Sequence, residues 1–317
     1  MTMPILVSIV TPVFNQESFI AQAIESVLAQ DYPHIEYIVI DDGSTDGTPD
    51  AIARYAGKVV TMRHPNMGQA RSLNKGWARC RGQILGYLSA DDVLLPSAVS
   101  HAVTLLEAEP DTVMVYSDCD LIDPFSRIIR HSVAKETNYE ELVVKQECYI
   151  GPGAFFRRLA YEQAGGWDER LRVAPDREFW MRLGLLGKIT MIPQVLAYYR
   201  MHPQSISYFH STIEDSLEYV AVMEKYFERR DLPAYILAKR NEAFCWAYIV
   251  GARIHVRGGR FVTALRWIKI AQSLHHVPVL SVYIMMLRTL IGRHYQYGRW
   301  MLKNLVSRQI QVKSKIL

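Results

Sequence analysis

Ile84-Leu85-Gly86-Tyr87-Leu88-Ser89-Ala90-Asp91-Asp92 decides how the first two hundred residues are read. The run opens as a short apolar stretch without polar alternation, the pattern of a strand covered on both faces. It then delivers two adjacent carboxylates at the strand's carboxyl end. Working back toward the start, Gln69–Arg79 has helical spacing, Val59–Met62 is a strand, and a helix begins near Pro49 with Asp46 as its expected N-cap. Before these lie the turn Asp41–Gly47, the strand Tyr37–Ile40 and the helix Phe19–Gln30, with Ile20, Ala23, Ile24, Val27 and Leu28 on one stripe. The β-branched run Ile5–Thr11 comes first. Strand and helix alternate, which predicts an α/β fold with a parallel, doubly covered sheet. Ligands of such sheets bind beyond the carboxyl ends of the strands, where the polar clusters fall.

Beyond Pro96 the pattern loosens. Val113–Tyr116, Gly151–Arg157 and Gln194–Arg200 read as strands, and Phe179–Leu186 as a helix. The expected boundary lies near Ser207–His210, giving a catalytic-type domain over 1–208 and a basic helical region over 209–317. In the latter, Cys245–His255, a turn at Arg257-Gly258-Gly259 and Phe261–Ser273 form a helical hairpin rich in small residues. It is somewhat like one tetratricopeptide unit, with no second copy.

The net charge of +4 hides an asymmetry. Residues 243–317 hold 12 Lys and Arg and no Asp or Glu, whereas the first 242 hold 24 basic and 32 acidic residues. Such a tail calls for an anionic partner. Its cations interleave with Trp267, Tyr283, Tyr295, Tyr297 and Trp300, so contact with an anionic membrane surface is expected. Solvated faces packing on the first domain are the second reading, and no nucleic-acid module is present. Cys80, Cys119, Cys148 and Cys245 show neither disulfide nor zinc spacing, as in a reducing cytosol. No run reaches the roughly 20 apolar residues that span a bilayer. The expected location is the cytoplasm, with peripheral contact at the inner face of the plasma membrane.

Each acidic turn admits two readings. Asp91-Asp92 can hold a divalent cation, or can cap a helix beginning near Pro96. Asp41-Asp42-Gly43-Ser44-Thr45-Asp46-Gly47 can present a carboxylate to a ligand, or can satisfy its own backbone N–H groups. Absence of G-x-G-x-x-G and of a P-loop argues against a dehydrogenase or a nucleoside triphosphatase.

In register with Thr11-Pro12-Val13-Phe14-Asn15, Asn66-Met67-Gly68-Gln69-Ala70-Arg71 and Pro175-Asp176-Arg177-Glu178-Phe179-Trp180, these turns resemble glycosyltransferase family 2. The resemblance covers about 200 residues and extends to Tyr199-Arg200-Met201-His202-Pro203-Gln204-Ser205-Ile206-Ser207. It implies the GT-A fold, a Rossmann-like, mostly parallel sheet flanked by helices, and inverting transfer from a nucleotide-diphosphate sugar. A UDP- or dTDP-sugar would be the donor, and a saccharide or lipid-linked hydroxyl in polysaccharide or glycolipid synthesis the acceptor. By position, Pro12, Phe14 and Asp42 would form the base pocket, with Asp42 accepting from the base N3–H. Arg71 would touch phosphate or ribose, and Asp91 ribose or sugar. Asp92 and His202 would ligate Mn²⁺ or Mg²⁺, and Asp176 would be the general base. Many members have Glu where Pro175 stands here. Trp180 would contact acceptor or pack in the core, and Gly165-Gly166-Trp167 would shape the acceptor cleft. The competing readings are a non-catalytic nucleotide-sugar binder and a sugar nucleotidyltransferase. The latter normally opens with a glycine-rich phosphate loop that Thr11–Asn15 does not supply.

Overall fold

A computed structural model describes residues 4–202, 205 and 212–291. The expected boundary at Ser207–His210, several residues after His202 in its motif, and the tail aromatics from Tyr295 onward lie outside the described residues. The chain separates into two compact units, Met1–Phe209 and His210–Leu317.

A nine-stranded sheet forms the first unit. Its strands are β1 (Val7–Val13), β2 (Ile35–Asp41), β3 (Val60–Arg63), β4 (Ile84–Tyr87), β5 (Val93–Leu94), β6 (Thr112–Ile122), β7 (Ile128–Arg130), β8 (Phe155–Arg157) and β9 (Lys188–Arg200). The order is β3-β2-β1-β4-β8-β6-β9-β5, with β7 on β6. β1 pairs in parallel with both β2 and β4, and β2 with β3. The expected parallel sheet stops there, because β8 runs antiparallel to both β4 and β6, and β5 runs antiparallel to β9. Between β6 and β8 the only helix is the five-residue α5 (Tyr139–Val143), too short for the covered crossover that parallel neighbours use. Both β4 and β6 oppose β8, and β6 parallels β9. The carboxyl ends of β1, β2, β3, β4, β6 and β9 therefore share one edge.

Helices cover this sheet with the stripes the spacing predicts. α1 (Ile20–Leu28) buries Ile20, Ala23, Ile24 and Val27, and α3 (Gln69–Trp77) buries Ala70, Leu73 and Trp77. α2 (Thr48–Ala53) begins after Gly47, so Asp46 sits one residue before the cap, where its carboxylate accepts from Thr48 N at 3.0 Å. α4 (Ala98–Ala108) starts only after β5 has intervened, so Asp91-Asp92 does not cap it.

An aromatic cluster anchors α6 (Arg158–Ala164) and α7 (Pro175–Gly184) to the sheet. Trp77 meets Phe156, Tyr161 and Phe179 at ring-centroid distances of 5.3, 5.5 and 5.6 Å, and Trp180 lies 5.9 Å from Phe156. Aromatic pairs add about 0.5–1.5 kcal/mol each beyond their buried area. Trp180 is 1% exposed, so of its two predicted roles it takes core packing.

The second unit is helical: α8 (Ile213–Phe227), α9 (Ala234–Leu237), α10 (Arg240–Arg257) and α11 (Phe261–Leu274), then a helical run over 279–291. Thr212 and Asp215 close a reciprocal capping box on α8. The predicted hairpin is α10 and α11. Gly251 explains how closely they pack, because a Cβ there would stand 2.2 Å from the Trp267 ring.

Candidate active site

Two loops at the shared edge are laced together by side chains that the turns supply. Asn15, at φ 52°, donates its N–H to Ser44 Oγ at 2.9 Å, and its Oδ1 accepts from Thr45 N at 2.8 Å. Glu17 Oε2 accepts from Gly47 N at 2.7 Å. Pro12 is buried within β1 opposite Ile40, whereas Phe14, just past the strand, is 45% exposed. Phe14 thus offers a ring face at the edge, and Pro12 holds the strand beneath it.

The first acidic pair is turned onto its own backbone. Asp41 Oδ1 accepts from Ser44 N at 2.9 Å, and Arg63 stands 3.0 Å from Oδ2. Asp42 accepts from Met67 N at 2.8 Å and Gly68 N at 2.9 Å, one on each oxygen, with His64 Nδ1 3.3 Å away. Both residues are 3% exposed. Asp42, predicted to read a base, here holds the loop that enters α3. Arg71 in that helix is exposed and lies 3.3 Å from Glu169. Such solvated pairs contribute about 0–1 kcal/mol, so its guanidinium is only loosely held.

The second pair divides its labour. Asp92 is buried, and its Oδ1 accepts from Arg200 N at 2.8 Å. Burial, with the neighbouring charge of Asp91, pushes its carboxyl well above the usual range, against the pull of Arg200. Asp91 faces outward enough to leave its side chain 16% exposed, and its Oδ2 lies 2.9 Å from His202 Nε2. Of the residues predicted to ligate metal, His202 therefore meets Asp91, while Asp92 ties the acidic turn to β9.

Arg200, which the residue-by-residue reading did not single out, fastens this corner. Its side chain donates to Asp91 O at 2.7 Å, Asp123 O at 3.0 Å, Ser126 Oγ at 3.1 Å and Gln22 Oε1 at 2.6 Å. The guanidinium sits 4.9 Å over the Phe19 ring, and that ring lies 4.8 Å from His202. A signal was present in the sequence, since Arg200 precedes His202 by two residues in the Tyr-Arg-x-His segment.

Asp176 lies in the first turn of α7, where helix N–H groups favour negative charge. Burial raises the Tyr87 phenol well above its usual value, and the charges of Asp176 and Asp92 both add to that. Burial likewise pushes the Cys148 thiol up to about 11, opposed by Arg177 and reinforced by Asp176. α7 is held in turn by Arg182, whose guanidinium donates to Ala164 O, to Gly166 O at 2.7 Å and to Glu178 Oε2 at 2.7 Å. Asn74 pins the same turn from α3, accepting from Trp167 N at 2.8 Å and donating to Trp167 O at 2.9 Å. Gly166 lets it come so close, because a Cβ there would lie 2.2 Å from Asn74 Oδ1. Trp167 is 4% exposed and packs against Tyr87 at 5.1 Å. The Gly-Gly-Trp turn acts by packing.

The segment 118–149, unreadable in sequence, is organised by carboxylates on β6. Asp118 accepts from Ala134 N at 3.0 Å and from the Ser132 hydroxyl. Asp120 accepts from Ser132 N at 2.9 Å and pairs with His131 at 2.8 Å. These anchor the following loop to the strand.

Among the described residues no three His, Cys, Asp or Glu side chains converge as a self-sufficient metal site. Asp91 and His202 do converge. One hard carboxylate beside one imidazole fits a divalent cation that takes its other ligands from a phosphate-bearing ligand and water.

Comparison with known proteins bears on the family and the fold. The profile of Glycosyl transferase family 2 matches residues 8–165, from β1 through the Gly-Gly turn. An uncharacterized glycosyltransferase of Rickettsia prowazekii, RP339, is 30% identical over 205 residues, covering 62% of this chain and 64% of that protein, so just under two thirds of the relative is spanned. The crystal structure of S. aureus TarS 1-349 in complex with UDP-GlcNAc superposes with a TM-score of 0.67 at 17% identity, covering 92% of each chain. Mannosyltransferase PcManGT from Pyrobaculum calidifontis, in complex with GDP-Man and Mn²⁺, gives 0.60 at 19% identity, covering 98% of this chain and 87% of that one. At these identities the two structures speak for the GT-A fold alone. With the profile running through the strands that carry both acidic turns, and the expected order of motifs along one sheet edge, the chain belongs to glycosyl transferase family 2.

Proposed function

We propose that this chain transfers a sugar, with inversion, from a nucleotide-diphosphate donor to a hydroxyl of a saccharide or lipid-linked acceptor. The observation that carries the reading is the 2.9 Å approach of Asp91 Oδ2 to His202 Nε2, on the edge where Asp176 opens α7. Asp91 and His202 would hold Mn²⁺ or Mg²⁺ together with the donor's diphosphate, which moves the expected metal-ligand role from Asp92 to Asp91. The bound cation would offset charge on the departing diphosphate, so no protein acid is required there.

Asp176 accepts the proton of the acceptor hydroxyl as its oxygen attacks the anomeric carbon. One base and no second carboxylate assigned as nucleophile support a single displacement. Phe14 offers its exposed ring to the base, and Arg71 its fork to phosphate or ribose. Asp42 acts through the loop it holds. With its oxygens spent there, the preference for uracil or thymine loses its support, so the donor panel must include guanosine. The PcManGT complex carries a GDP-sugar on a similar fold.

Thermal shift with UDP-, dTDP- and GDP-sugars, each with and without Mn²⁺, is the first test, followed by release of nucleoside diphosphate with sugar acceptors. Asp176→Asn should lower transfer by about 10²–10⁴-fold while donor-induced stabilisation persists. Near-normal turnover of that variant would remove the base assignment. Donor binding without turnover in the unmodified chain would favour a non-catalytic binder, and pyrophosphate release from a sugar phosphate and a nucleoside triphosphate a nucleotidyltransferase.

A further inference from the structure

The helical run over 279–291 has two apolar faces, and its own unit covers one of them. Val282 and Met286 are 1% and 6% exposed, and they join the cluster built by Cys245, Ile249 and Ala252. On the other side Leu280, Ile284, Leu287 and Ile291 recur at helical spacing and are 72%, 41%, 55% and 56% exposed. Val279 and Tyr283 widen that face, and exposed Arg288 borders it. A helix apolar on both sides implies a second partner. α11 repeats the pattern in mixed form, exposing Val262 and Leu265 among exposed Arg266 and Lys269.

We propose that this face docks on an anionic lipid bilayer, lying along the headgroup boundary. Charge decides between the occupants an apolar helix face can take. Residues 243–317 contain twelve cationic side chains and no carboxylate. A two-fold contact between copies would set Arg288 and its neighbours against their own images, with no acid in the region to pair them. Residues 292–317 carry six of those cations and no acid, so that segment too has the wrong sign to cover the face. An anionic surface with hydrocarbon beneath it satisfies cations and leucines together. Val282 and Met286 are packed inside the unit, so the run offers one side only to lipid and lies along the surface. No described helix is long and apolar enough to cross a membrane.

This inference does not rest on sugar transfer, and its test reads binding only. The full chain is floated with vesicles of pure phosphatidylcholine and of phosphatidylcholine with phosphatidylglycerol. Binding is expected to the anionic vesicles, to weaken with salt, and to fall about tenfold or more in L280S/L287S, since each insertion buries most of a leucine. R288E should reduce it further, and unchanged circular dichroism shows the variants remain folded. Three results overturn the proposal: no binding to anionic vesicles, equal binding by L280S/L287S, or a lipid-free dimer that the same double substitution dissolves.

Discussion

Two Asp-Asp turns close two parallel strands of one sheet, and their carboxylates do opposite work. At Asp41-Asp42 the oxygens accept from Ser44, Met67 and Gly68 N–H groups, and both residues are 3% exposed. At Asp91-Asp92 one residue is spent in the same way, on Arg200 N, while the other meets a histidine side chain at 2.9 Å. A carboxylate saturated by backbone donors is a brace. One whose described hydrogen-bond partner is an imidazole retains lone pairs for a cation. Composition and strand-end placement are alike in the two turns. They differ in which backbone arrives opposite, the 66–68 loop in one case and the end of β9 in the other.

The sharpest way to break this contrast is Asp91→Asn. Transfer should fall about 10³-fold, and the Mn²⁺-dependent part of the donor thermal shift should vanish, with the ligand-free melting temperature little changed. If Asp92→Asn alone removed metal dependence while Asp91→Asn kept it, the division of roles drawn above would be reversed.

Arg200→Met tests the brace on which the second turn depends. Asp91 O and Asp123 O would lose a buried cationic donor, and Asp92 would keep its burial without that charge beside it. Breaking one partner of a buried charge cluster costs about 3–5 kcal/mol, which urea unfolding would register. An unfolding midpoint within error of the parent would mean that the corner holds itself together by packing alone.

Asp42→Asn bears on the first turn with the smallest expected effect. One of its two N–H donors would face an amide NH₂, a loss of about 1–3 kcal/mol in stability. Because the residue acts through its loop, UDP- and GDP-sugar affinities should weaken in parallel. A loss confined to uridine donors would restore it as the reader of the base.

Much of the first unit was legible because its early elements are local. Strand β1 is buried along its whole length, so its sequence reads as a mostly apolar run in which only Ser8 and Thr11 are polar, and α1 and α3 each bury one stripe. Past β4 the readable period fails. β5 has two residues and β8 three; the partner of β5, β9, lies about a hundred residues away in chain order, and that of β8, β4, about seventy. Antiparallel pairing at that separation leaves no periodic trace. The start of α7 was placed at Phe179 and lies at Pro175, since its first turn is polar and its buried face includes an ion pair, Arg182 with Glu178 at 2.7 Å.

The α/β class, the edge on which the chemistry gathers and the family are legible from the residues alone, because each depends on short runs read in order. Which aspartate serves as brace, which meets His202, and that Arg200 fastens the corner follow only once the chain is folded. Those outcomes depend on donors brought from more than a hundred residues away, and a lone carboxylate carries no mark of the hydrogen bonds it will receive.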